Sequence, residues 1–419
     1  MKDKAKATEL CQLTLAAMVF FGSILTGPAS AQSDIPTYKQ SDPVGDYLDA
    51  IDAAEAELSA YSLELSDLYL GLGKSHLSNR EYDRARKAFQ RGMQIERVNF
   101  GLNSLTQTPY LMSIAETESF LGNWDESQKA LENLYIINIE AYGAQDPRML
   151  PVLNELLDWY LDTYSDRSTS GGYQNLVISE KLSTRMQSIL NQTDELKDPA
   201  APKMYRKISH LHYFIANHIK KHGEPSETGF TFNASSTTSS ANSTSHMHYR
   251  RGKVALQKVV ESLELQEDTP ALDQASAIAE LGDWYLVFGQ RASANRTYQL
   301  AYDFLGDSEQ SEELQESFFS DAKLIGFTDQ SSAAKRYEKA NNGAPAEEPM
   351  EISMTISSNG VPRNVEIVNP PEDLGKNVRR AVLTDIRAQR YRPRLAAGAP
   401  VSSAIQFPYD IKPTTETRD

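Results

Sequence analysis

Residues 277–305 read AIAELGDWYLVFGQRASANRTYQLAYDFL, and this stretch limits the chain's possible folds more than any other. Large and small apolar residues recur at helical spacing on both sides of Gly289. Numbered as a 34-residue helical hairpin, Leu281, Gly282 and Tyr285 take positions 7, 8 and 11, and Gly289 takes 15. Ala294, Tyr298 and Ala301 take positions 20, 24 and 27. Small residues at 8, 20 and 27 let two helices approach, while Leu281, Tyr285 and Tyr298 fill the space between them. Gly289 is placed to end the first helix. One such hairpin cannot bury its own apolar face, so neighbouring hairpins are expected.

They are present upstream. Tyr69, Leu72, Gly73, Tyr82, Ala85, Phe89 and Gly92 fit one repeat, and Leu111, Ile114, Ala115, Gly122, Trp124, Leu131 and Leu134 fit the next. Tyr82 to Trp124 and Phe89 to Leu131 are both 42 residues, so the link between these hairpins is extended. A less regular hairpin follows from Leu153 to Ile189, broken at Gly171-Gly172, and a fourth begins at Lys203. Its second helix is expected to resume near Arg250, after a Ser/Thr-rich insertion (224–248) read as a loop too polar to order itself. The pattern resembles the tetratricopeptide repeat, and the longer period resembles the kinesin-light-chain style of it. That resemblance implies an α-solenoid that binds other proteins.

The remaining boundaries follow from composition shifts. Lys2, Lys4 and Lys6 precede a 13-residue apolar run, Leu13 to Leu25, and then Ala29-Ser30-Ala31. This is the layout of a secretory signal peptide (1–31), with cleavage expected before Gln32 and a periplasmic product. An uncleaved inner-membrane anchor is the alternative. Cys11, the one cysteine, would leave with the signal. Residues 32–43 are a polar lead-in, 44–325 the array, 326–349 a linker, 350–412 a C-terminal domain and 413–419 a tail. The formal net charge of −15 argues against nucleic acid as a partner. The acidity lies in the array, because residues 351–419 carry ten basic and eight acidic side chains.

In the C-terminal domain, Ile352, Met354 and Ile356 alternate with polar residues, Asn359-Gly360 signals a two-residue hairpin turn, and Val361, Val365 and Ile367 continue a second strand. Leu374, Val378, Val382 and Ile386 give one apolar helix face; Ile405, Phe407, Tyr409 and Ile411 alternate in a last strand. The expected fold is therefore mostly α: a tetratricopeptide-repeat α-solenoid followed by a small α+β (ββαβ) domain. The hairpin, the step Arg390-Tyr391-Arg392-Pro393 and the turn Gly398-Ala399-Pro400-Val401, in that order, resemble the C-terminal domain of TonB and related energy transducers. That resemblance implies strand addition by an extended segment of an outer-membrane transporter. The residues it points to are Arg390, Tyr391, Arg392, Pro393 and Arg394, with Val401, Ser403, Ile405 and Phe407 on the last strand. Pro408 removes one donor there, and proline in a strand favours an edge.

Chemistry is sparse. Gly73-Lys74-Ser75 lacks the earlier glycine of a phosphate loop, since Leu68 stands there. His218 and His222, four apart on a helix, could share a metal ion, with no third ligand evident on that face. No nucleophile comes with a base, and no cofactor is implied. The expected function is a non-enzymatic adaptor of TonB-type transport, its module pairing with a transporter or transducer segment, bound to protein partners in the cell envelope and to membranes only through them. An envelope or cell-wall assembly scaffold and a metal-binding protein are the alternatives.

Overall fold

The computed structural model describes residues 43–166, 172–192, 195–223, 237–306, 311–326, 350–370 and 374–409. The signal peptide, almost all of the lead-in and linker, and the tail lie outside these residues, as does Ile411.

The described residues form a mostly α chain: an α-solenoid of helical hairpins followed by a small α+β module. Helix α1 (Pro43–Glu57) is followed by five hairpins: α2 (Leu63–Ser78) with α3 (Tyr82–Phe100), α4 (Thr108–Phe120) with α5 (Trp124–Tyr142), and α6 (Leu150–Asp166) with α7 (Tyr173–Leu190). The last two are α8 (Ala201–His222) with α9 (Thr237–Leu265), and α10 (Ala271–Val287) with α11 (Arg291–Gly306). The 42-residue spacing has a local cause. Helices α3 and α5 are each 19 residues long, and each is followed by an extended link ending in a 3-10 turn, Leu105–Gln107 or Pro147–Met149. Ser104 and Asp146 cap those turns, accepting from the backbone N–H of Thr106 and Arg148 at 3.3 and 2.9 Å.

The repeat residues sit where helices close on one another. A Cβ at Gly282 would stand 2.5 Å from the Tyr298 ring, and one at Gly73 would stand 2.4 Å from the Phe89 ring. Ala85, Ala294, Tyr298 and Ala301 are buried, and Tyr285 packs against the same core. Gly122 and Gly289 occupy the turns before α5 and α11. Trp124 opens α5 and its ring lies 6.5 Å from that of Trp159. One continuous core runs from Ala85 to Ile325 and takes in Leu395; α1 closes the N-terminal end by burying Ile51 against Leu65, Leu72 and Ile95.

The insertion behaves differently from the sequence expectation. Helix α9 starts at Thr237, well before Arg250. His248 and Tyr249 are already buried against the array, so the packed helix is nucleated further upstream than the sequence suggested. Extending it through Ser, Thr and Asn costs only a few tenths of a kcal/mol per residue. Residues 224–236 lie outside the described set.

After α12 (Ser311–Phe319) the module begins with β1 (Lys323–Leu324), then β2 (Met350–Ile356), β3 (Pro362–Ile367), α13 (Lys376–Ala388), β4 (Tyr391–Arg392), β5 (Arg394–Ala396), β6 (Ala399–Val401) and β7 (Ser403–Tyr409). The main sheet is antiparallel in the order β3-β2-β7, with Met350 opposite Tyr409 and Ile356 opposite Ser403. Helix α13 lays Val378, Val382 and Ile386 on Ile352, Met354, Ile356 and Val365. Two expectations change here. The β2–β3 turn is not a two-residue type I′ turn, because only Gly360 has positive φ, at 69°. Gly360 N–H instead donates to Ser357 O at 2.8 Å, giving a three-residue loop that ends in a left-handed glycine. The module also begins before the linker: Leu324 pairs with Tyr391 and packs, with Ala322, on the module core. The array boundary at 325 therefore cuts through one sheet pairing.

Candidate functional site

Strand β7 is an edge strand of the main sheet and lines a cleft. It pairs with β2 on one side and with nothing on the other among the described residues. The backbone of Glu351 is engaged by β3-side partners: its O accepts from Val368 N–H, and its N–H donates to Asn369 Oδ1. Pro408, opposite Glu351, is therefore a residue whose missing N–H faces the free edge. By the strand period of two, Ala404 and Gln406 also present their N–H and C=O groups to that edge. A cleft of about 760 Å³ runs along it, between β7 and Asp321, Ala322, Leu324, Gln389 and Tyr391.

The cleft is mixed in character. Ile405, Phe407 and Tyr409 are half-buried on the module core, while Ala404, Gln406 and Pro408 are exposed. Tyr391 O–H donates to Gln389 Oε1 at 2.7 Å. Burial, aided by Asp385, pushes the Tyr409 phenol up to about 12, so it remains a donor at neutral pH. The Ser403 hydroxyl is buried with no partner among the described residues, and Val401 is half-buried at the end of β6.

The arginines lie elsewhere than the sequence reading placed them. Arg392 is turned away from the cleft and into the array. Its Nη2 and Nε donate to the two carboxylate oxygens of Asp283 on α10, at 2.6 and 3.0 Å. Tyr298 O–H donates to the same carboxylate at 2.8 Å, and the guanidinium lies 5.2 Å from the Phe318 ring centroid. The two charged side chains are 4% and 9% exposed. Burial alone would lower the Arg392 pKa, but Asp283 outweighs it and the net shift is upward. Burial, then the Asp283 charge, holds the Tyr298 phenol well above its ordinary value. Pro393 is buried beside this pair, and Leu395 joins the array core. Arg390 is half-buried and its guanidinium donates to Gln389 O at 2.8 Å at the end of α13. Arg394 alone of the three stays exposed. So Arg392 and Leu395 build the joint between module and array, and Tyr391 forms a wall of the cleft.

Sequence reasoning missed Asp283, Phe318, Ala322, Leu324 and Gln389. Asp283 carried a readable signal: a carboxylate flanked by Gly282 and Trp284, inside a helix stretch whose other members face the core. Residues 322–324 carried none, since a two-residue strand has no period.

His218 and His222 do face one another, with ring centroids 4.8 Å apart. His218 is buried, packs on the Tyr173 ring and shares a hydrogen bond of 3.2 Å with the Tyr164 hydroxyl. Among the described residues, no group of three or more His, Cys, Asp or Glu is arranged to hold a metal ion. No described helix is long and apolar enough to cross a membrane.

No family model matches the chain. Among curated proteins it is similar to the RxLR effector protein SFI4 of Phytophthora infestans (strain T30-4), 26% identical over 122 residues, which is 28% of this chain and 36% of that protein. The chain thus spans about a third of that relative's length. Among solved structures it is similar to BtubC (BKLC) from P. vanneervenii, with TM-score 0.42, 11% identity, and coverage of 62% of this chain and 89% of that one. It is also similar to a putative kinesin light chain with nearly identical TPR-like repeats from Podosopora anserina, with TM-score 0.38, 14% identity, and coverage of 59% of this chain and 99% of that one.

Proposed function

We propose that this protein is a non-enzymatic adaptor whose module receives an extended polypeptide on the free edge of β7. The observation that carries the proposal is the edge itself: backbone groups at Ala404 and Gln406 that have no strand partner among the described residues, beside a cleft of about 760 Å³ with apolar and hydrogen-bonding walls. Strand addition draws affinity from main-chain hydrogen bonds and selectivity from alternate side-chain pockets. The finer reading places this adaptor in the periplasm, with a TonB-type transport system as partner. It rests on the signal-like N-terminus and on the resemblance of the last seventy residues to TonB C-terminal domains.

The test is direct binding of a synthetic periplasmic segment of a TonB-dependent transporter, followed by fluorescence anisotropy. Gln406→Pro removes one edge-facing donor and leaves the β2 ladder intact. With one hydrogen bond worth about 0.5–1.5 kcal/mol, binding should weaken roughly 2- to 10-fold. No binding by the wild-type protein removes the transport reading; equal binding by the variant removes the edge. An envelope scaffold is a second reading, favoured by the Arg392–Asp283 joint, which makes the module the terminal cap of the solenoid.

A further inference from the structure

Two helices at opposite ends of the chain expose faces of opposite charge, and neither face is used by the site described above. Helix α13 buries Val378, Ala381, Val382 and Ile386 and turns its other side outward. There Lys376, Arg379, Arg380 and Arg387 surround half-buried Leu383, lining a shallow cleft of about 300 Å³. None of the four cationic side chains has an ion-pair or hydrogen-bond partner among the described residues. Helix α1 is the counterpart. Its sequence, PVGDYLDAIDAAEAE, contains no basic residue, and Asp46, Asp49, Asp52 and Glu57 are exposed. Leu48 is 46% exposed among them. On α13 the leucine has cations at three and four positions before it and four after it. On α1 the leucine has carboxylates one and four positions after it. Each face thus sets a leucine among side chains of one sign of charge, Leu48 exposed and Leu383 half-buried in a shallow cleft.

We propose that the α13 face docks on the α1 face of a second copy of this chain. Because α1 packs on the first hairpin and the module on the last, the contact is head-to-tail and leaves a free face at each end. Charge complementarity selects this occupant. An anionic lipid surface would attract α13 but repel the rest of a chain whose formal net charge is −15. Two copies of this acidic chain also repel at long range, so what favours a second copy is the short-range match of the α13 cations to the exposed Asp46, Asp49, Asp52 and Glu57 of α1.

Sedimentation velocity on the full chain tests this. At about 50 mM salt the weight-average sedimentation coefficient should rise with protein concentration. It should return to the monomer value at about 0.5 M salt, where screening shortens the reach of these charges severalfold. Arg379→Glu with Arg380→Glu should abolish the rise, and so should Asp49→Lys with Asp52→Lys; unchanged melting temperatures establish that each variant is folded. An equimolar mixture of the two variants should associate again, because each reversed face meets a reversed or native complement. A wild-type protein that stays monomeric at low salt overturns the proposal. So does a mixture that does not associate. Binding of a monomeric wild type to phosphatidylglycerol vesicles through Arg379 and Arg380 overturns it too, and gives the face to lipid instead.

Discussion

Replacing Asp283 by alanine should undock the module. The carboxylate receives two hydrogen bonds from Arg392 and one from Tyr298, in a site where both charged side chains are almost fully buried. Removal leaves a guanidinium and a phenol without an acceptor in the joint. Breaking a buried ion pair from one side costs about 3–5 kcal/mol, because the remaining charge is stranded. Arg392→Met should cost less, since a long apolar chain keeps the Phe318 contact and only the carboxylate is left unpaired. Arg392 Nη1 already lacks a partner among the described residues, so the wild-type pair is not ideally solvated. The combined Asp283→Leu and Arg392→Met variant should therefore lie within about 1–2 kcal/mol of wild type. Urea denaturation followed by circular dichroism gives the three stabilities, and the cycle gives the coupling energy. A single-variant cost under about 1 kcal/mol would show that the pair is solvated and the module loosely attached, and the joint would lose its role.

Stability should fall on mild acidification, and His212 should carry part of the fall. Burial, then His248 and Arg251, hold its pKa down at about 3, so the fold keeps it neutral while the unfolded chain protonates near 6.5. The unfolded state then binds more protons between those values; the contribution is complete above about 6.5 and shrinks as pH drops, by about 2 kcal/mol at pH 5. Urea midpoints at pH 7.5 and 5 should differ less in His212→Asn than in wild type, and an equal difference would remove His212 as the source. A protease site engineered between 340 and 349 should give two fragments that still elute together, because Leu324 pairs with Tyr391 and Arg392 pairs with Asp283 across the cut; free elution of the smaller fragment would show that the covalent link holds the module in place.

The array was legible because its signal is periodic. Small residues at Gly73, Gly282 and Ala294 announce close helix approach, and the 42-residue offset between Tyr82 and Trp124 reappears in the ends of α3 and α5. The sheet strands were legible for the same reason, since alternation reports a half-buried face. The start of α9 was not, because Ser and Thr carry no helical signal and only packing at His248 and Tyr249 decides the register. The module's docking was least legible. A cluster of arginines reads as a solvated or partner-seeking surface, and only the fold brings Arg392 to Asp283, 109 residues away in sequence.

That displacement changes what the free edge can recognise. With Arg392 committed to the array and Arg390 engaged at the end of α13, Arg394 is the exposed cation of the three nearest β7. Steering an acidic segment by long-range charge is then a minor effect, since one exposed cation is readily screened. Recognition falls to the backbone groups of Ala404 and Gln406 and to the half-buried walls made by Ile405, Phe407 and Tyr409. Those groups are set by the β2–β7 ladder, and the opposite wall, Leu324 and Tyr391, is set by the β1–β4 pairing against the joint. Arg392 follows Tyr391 in β4, so the Arg392–Asp283 pair anchors the strand that carries one wall, although neither residue lines the cleft. A partner that loosens the joint would also open the cleft, and a segment that fills the cleft would hold the joint shut.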